Sequence, residues 1–193
     1  MTPGSTPLER LQLLAPAPKE PVENGPPALR RPAEAGLGLS LPEGIIEFAT
    51  VYGSGSFRTH EWSGLLQIYN PFSPVFVSRV TDLAQACRDL KRAEGDGYIP
   101  YQIYPDKPGL LPFGSGEGER LLFWLTEGPP DAWPIVVSPA DRSFLRFDLS
   151  IPAFLLKLFT GEIDCWGAGH DSAWFKSHTS EITFRPIKRR ARS

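Results

Sequence analysis

The side chains able to do chemistry in this 193-residue chain are few and scattered. Glu117 and Glu119 stand two apart in FGSGEGE, a spacing that lets both carboxylates point the same way. A general acid–base pair would need one carboxyl desolvated and the other ionised, and a glutamate between glycines is ordinarily solvated. The histidines are His60, His170 and His178. None shares a helical i, i+4 face with another, and none lies in HExxH. His170 beside Asp171 in GAGHDSAWF reads as a surface turn, because a dyad is oriented across space and not along the chain. Cys87 and Cys165 fit neither C-x-x-C nor a zinc-ligand spacing. Two glycine-rich stretches, YGSGS and FGSGEGE, lack the lysine and following helix of a phosphate loop, and neither GSG fits G-x-S-x-G. The sequence therefore predicts no catalytic residues, no metal site and no cofactor.

The elements that carry these residues can be read from patterning. Prolines at 3, 7, 16, 18, 21, 26, 27 and 32 interrupt the first part of the chain, so residues 1–31 are expected to be a flexible leader, with helical spacing in 8–14 alone. Two short helices follow, one entered at Pro32 and ended at Gly36 or Gly38, the next with Pro42 at its first position and closed by Tyr52-Gly53. FRTHEWSGLLQIYNP reads as a strand or a hairpin turned at Ser63-Gly64. Val80, Leu83, Ala84, Cys87 and Leu90 fall on one helical stripe over 78–94, which makes Cys87 a buried small residue. YIPYQIY, GLLPFGSG, ERLLFWLT, WPIVVSP and RSFLRFDLS read as short strands, with FGSGEGE as a turn, and SIPAFLLKLFTG as a closing helix. SEITFRPI offers one more edge strand. The order predicts a single α+β domain over 32–165, with a mostly antiparallel or mixed sheet and helices mainly on one side. Residues 166–193 form an extension ending in the basic KRRARS.

Charge divides the chain. The net value is −2, which gives no reason to expect nucleic acid as a partner. Yet residues 37–165 hold sixteen acids against ten bases, whereas 166–193 hold two against six. No run approaches eighteen apolar residues, and the first residues lack a basic stretch leading into an apolar one, so a cytoplasmic protein with free thiols is expected.

LPEGIIEFATVYGSGSF, GLLPFGSGEGERLLFW and WPIVV together resemble the SUKH superfamily of bacterial toxin-immunity proteins and a fungal regulator of cell-wall synthesis. Leu41, Pro42, Phe48 and Gly53 match the family's leucine-proline helix and its glycine turn. Pro112, Phe113, Gly114 and Gly118 match its proline-phenylalanine-glycine signature, and Phe154 its closing helix. YGSGS stands where the family often has asparagine-glycine-glycine, and Arg120 where it often has aspartate. The resemblance spans about residues 30–163 and implies a non-catalytic α+β binding domain. It further implies an immunity protein whose acidic body covers a basic toxin, such as a nuclease. Glu117 and Glu119, with Trp62 and Trp133 as aromatic anchors, are the contact residues this reading nominates. A regulatory module on the same fold is the alternative, and a small hydrolase using His170 and Asp171 a third.

Overall fold

A computed structural model describes residues 5–59, 65–116, 118, 120–138, 143–165 and 182–188. They build one α+β domain around a seven-stranded antiparallel sheet. The strands are β1 (Gly55–Arg58), β2 (Leu66–Ile68), β3 (Leu110–Gly116), β4 (Leu121–Leu125), β5 (Ile135–Ser138), β6 (Leu145–Phe147) and β7 (Thr183–Pro186). Their spatial order is β6-β5-β4-β3-β2-β1-β7, so the first six strands meander in sequence and β7 returns to close the β1 edge. The helices are α1 (Pro7–Leu14), α2 (Arg31–Leu37), α3 (Glu43–Tyr52), α4 (Phe76–Glu94) and α5 (Ile151–Phe159).

Strand alternation sorts side chains between two cores. Leu111, Phe113, Leu122, Trp124, Ile135 and Val137 join α3 and α5 in the main core. Phe48, Tyr52, Phe57 and Phe184 form its aromatic centre, with Phe48 and Tyr52 stacked at 4.8 Å and Phe57 edge-on to Phe184 at 5.1 Å. The alternate residues Leu110, Phe123, Leu125 and Val136 meet Ala84 and Cys87 of α4 in a smaller core on the other face. The longest helix thus lies opposite α3 and α5. Cys87 is buried where the helical stripe placed it.

The segment expected to be a loose leader is packed. Thr6 and Glu9 form a capping box around Pro7, with Thr6 N–H donating to Glu9 Oε2 at 2.7 Å and Glu9 N–H to Thr6 Oγ1 at 3.2 Å. This fixes the start of an eight-residue helix that would be marginal alone. Leu11 and Ala15 are wholly buried, α1 packs on α5, and the Tyr52 hydroxyl donates to the Ala15 carbonyl at 2.6 Å. Proline density marked the breaks between these anchors and hid the anchors themselves. Beyond residue 165 the expected edge strand is present as β7, and its Phe184 belongs to the core, so packing extends past both boundaries drawn from composition.

Further expectations are corrected. YIPYQIY forms no strand; only Ile103 bridges to Leu110, and Ile99 and Ile103 cover the smaller core. Pro100 and Pro105 remove ladder donors that a strand there would need. GLLPFGSG forms β3 as its reading as a strand expected, and the turn read over FGSGEGE narrows to the positions between Gly116 and Arg120. Pro42 sits one residue earlier than expected, as the cap of α3 rather than its first residue.

Candidate functional site

The residues that carried the sequence resemblance hold the frame. Leu41, Phe48, Phe113 and Phe154 are buried, and Phe154 meets Phe147 edge-on at 5.4 Å. Gly53 ends α3 at φ 65° and ψ −153°, where a methyl group would run into the Val22 carbonyl oxygen. The register of β3 against β4 shifts between Pro112 and Gly114, and a Cβ on Gly114 would press on the Gln67 carbonyl. Gly118 is exposed and left-handed at φ 67°, as the tip of a tight hairpin requires. Across that tip Gly116 N–H donates to Arg120 O at 2.8 Å.

The nominated contact residues fare differently. Glu117 and Glu119 flank Gly118 at this tip in sequence, but they lie outside the described residues, as do Trp62, His60, His170, Asp171 and His178. Trp133 is described and is 8 % exposed. Its Nε1 donates to the Gly128 carbonyl at 3.0 Å and its ring lies 6.2 Å from Trp124. The Trp133 indole is satisfied inside the main core, which corrects its nomination as a surface anchor. A tryptophan after a Pro-Asp-Ala turn gives no sequence sign of which way it faces.

A cavity of about 1520 Å³ opens between the first half of α4 and strands β2 and β3. It is lined in part by Glu23, Gln67, Tyr69, Arg79, Asp82 and Ser115, from segments far apart in the chain. Arg79 stands 5.0 Å over the Tyr69 ring and its Nη1 donates to Gln67 Oε1 at 3.3 Å. Burial pushes the Tyr69 phenol above its ordinary pKa, against a hydrogen bond from Ser115 and the nearby Arg79 charge, so it remains a hydroxyl at neutral pH. At one end Ser54 Oγ donates to Glu23 Oε2 at 2.6 Å and accepts from Asn70 Nδ2 at 2.9 Å. Glu23 itself holds φ 55°, an uncommon conformation for a residue with a side chain. Sequence offered one clue to this cavity: Gln67 and Ser115 are polar positions inside apolar strands, and they pair across β2 and β3.

Neither thiol is poised as a nucleophile. Burial raises the pKa of Cys87 and raises that of Cys165 further, with Asp164 adding to the effect. Among the described residues no group of three or more His, Cys, Asp or Glu is placed to hold a metal ion. None of their helices is long and apolar enough to cross a membrane.

These elements define a single α+β domain. Comparison with protein-family models, with curated proteins and with solved structures returned no match.

Proposed function

We propose that this chain is a non-catalytic protein-binding domain, and specifically an immunity protein that neutralises a toxin by covering its basic, substrate-binding surface. The observation that carries the reading is the β3–β4 hairpin. It occupies the middle of the sheet, it is locked by five residue pairs, and it projects an exposed Gly118 flanked in sequence by Glu117 and Glu119. A stem held on both sides by neighbouring strands presents its tip with little ordering cost on binding. The body behind it carries sixteen acids against ten bases over residues 37–165, which speeds encounter with a basic partner. The SUKH-like motif residues support the reading by serving as turns and core, leaving the surface to specify the partner.

The test is affinity capture from the source organism with the full chain as bait. The captured protein is then titrated with a Glu117→Lys, Glu119→Lys variant. Capture of a secreted-toxin fragment, with at least a tenfold loss of affinity in the variant, is the expected result. Capture of housekeeping proteins alone overturns the toxin reading in favour of a regulatory module. Unchanged affinity in the variant keeps the partner and removes the hairpin tip from the interface.

A further inference from the structure

The net charge of −2 conceals a face of opposite sign. Phe57 and Phe184 point into the aromatic core, so their neighbours Ser56 and Arg58 on β1, and Thr183 and Arg185 on β7, point to the other side of the sheet. Ser56 pairs with Arg185 and Arg58 with Thr183. On the same side Gln67 of β2 pairs with Ser115 of β3. Arg79 reaches over from α4, exposed yet held by Gln67 and the Tyr69 ring, and Lys188 lines the same cavity. Arg58 is steadied by Ser56, its Nε donating to Oγ at 3.2 Å. Four cations thus share one face of β7, β1 and β2 and the facing turn of α4. Two acids accompany them: Glu23, whose carboxylate accepts the Ser54 hydroxyl, and Asp82, one turn along from Arg79.

We propose that this face binds nucleic acid through its phosphates, without reading sequence. The chemistry favours a polyanion over a second protein surface. Protein interfaces are anchored by a desolvated apolar or aromatic centre. Here the sheet presents Ser56, Arg58, Gln67, Ser115, Thr183 and Arg185, while the exposed apolar residues Val75 and Ile187 lie along the neighbouring loop and strand end. Arginine, lysine, serine, threonine and glutamine side chains are the donors that phosphate and sugar contacts use. Beyond Lys188 the sequence continues as Arg-Arg-Ala-Arg, four residues that carry three positive charges. The site differs in sign and composition from the acidic hairpin tip, so the two proposals stand or fall separately.

The experiment is fluorescence anisotropy of labelled 20-nucleotide single strands and 20-base-pair duplexes with the full chain, from 50 to 200 mM salt. Four phosphate contacts predict that log K falls against log salt with a slope near −3 for single strands, at about −0.7 per contact. Arg58→Gln with Arg185→Gln should weaken binding roughly twentyfold at 0.1 M salt and flatten the slope by about 1.4. Arg79→Gln with Lys188→Gln, at exposed positions, should do the same if the first pair melts early. A chain ending at Lys188 measures the tail by itself. The proposal is overturned if neither probe binds at 50 mM salt. It is equally overturned if deleting the tail abolishes binding while both glutamine pairs leave it unchanged. Displacement of the oligonucleotide by polyglutamate of equal charge, at equal concentration, would also overturn it by making an acidic protein segment the better occupant.

Discussion

Individual residues here are constrained most where backbone, rather than side chain, approaches closely. Gly53 combines φ 65° with ψ −153°, a region reserved almost wholly for glycine, and faces the Val22 backbone. Gly53→Ala should therefore cost about 2 kcal/mol or more, read as a drop in the urea midpoint with an unchanged slope. Gly95→Ala isolates the backbone part of that cost, since φ 87° and ψ 176° place it in the same glycine region with open space around it, and it should cost about 1–2 kcal/mol. Buried acids set the alkaline limit, the Cys165 thiol and the Tyr52 phenol foremost. Burial lifts the Cys165 thiol and the Tyr52 phenol above their ordinary values of 9.0 and 10.0. With the folded pKa raised, their stabilising contribution is whole below pH 9 and declines as pH climbs past those unfolded values. The melting temperature should be level from pH 7 to 8.5 and fall steeply above 9.5, and Cys165→Ala should soften the onset. The same burial predicts that neither thiol reacts with a thiol-specific reagent until the chain is unfolded. Rapid labelling of the native protein would contradict it.

At the scale of elements, α1 and β7 are the informative pieces, because each attaches a flank of the chain to the main core. Leu11 is wholly buried, and Leu11→Ala should cost about 2–4 kcal/mol, whereas Leu13→Ala, at 82 % exposure, should change stability by less than about 0.5 kcal/mol. A leader without tertiary contacts would make the two substitutions alike. These elements also mark the limit of what the chain discloses by itself. Helices with a continuous apolar stripe, such as α4, and strands rich in Val, Ile and Leu, such as β4 and β5, follow from periodicity. So does β7, since SEITFRPI alternates. The docking of α1 does not, because Leu11 and Ala15 are short-range features whose partners on α3 and α5 lie 37 residues or more away. Tyr98–Tyr104 misleads for a related reason: its aromatic and branched residues suit a strand, yet Pro100 within it and Pro105 just after it leave it covering the smaller core. The charged cavity is legible only in the polar positions Gln67 and Ser115 within apolar strands, since it assembles Glu23, Gln67, Arg79 and Ser115 from four separate segments.

Across the whole molecule, the sequence gathers its excess of acids in residues 37–165 and its excess of bases in residues 166–193. If the acidic body steers a basic partner, the association rate of the captured partner should fall several-fold between 50 and 300 mM salt, while the dissociation rate changes little. Stopped-flow mixing separates these, and a salt effect confined to dissociation would argue that steering is not how the body acts.

Ser54 joins the two flanks of the chain through the backbone of a single residue. Its N–H donates to the Val22 carbonyl at 2.8 Å, and its carbonyl accepts the Ile187 N–H at 3.0 Å. Mechanically this is a clasp: tension applied through the segments before Val22 and after Ile187 meets at one residue, beside the aromatic cluster of Phe57 and Phe184. Stretching between those points loads two hydrogen bonds and the β1–β7 ladder before it can reach the β3–β4 stem. The outermost strand and first helix would thus be shed as a separate event, with the inner meander left to rupture at higher force.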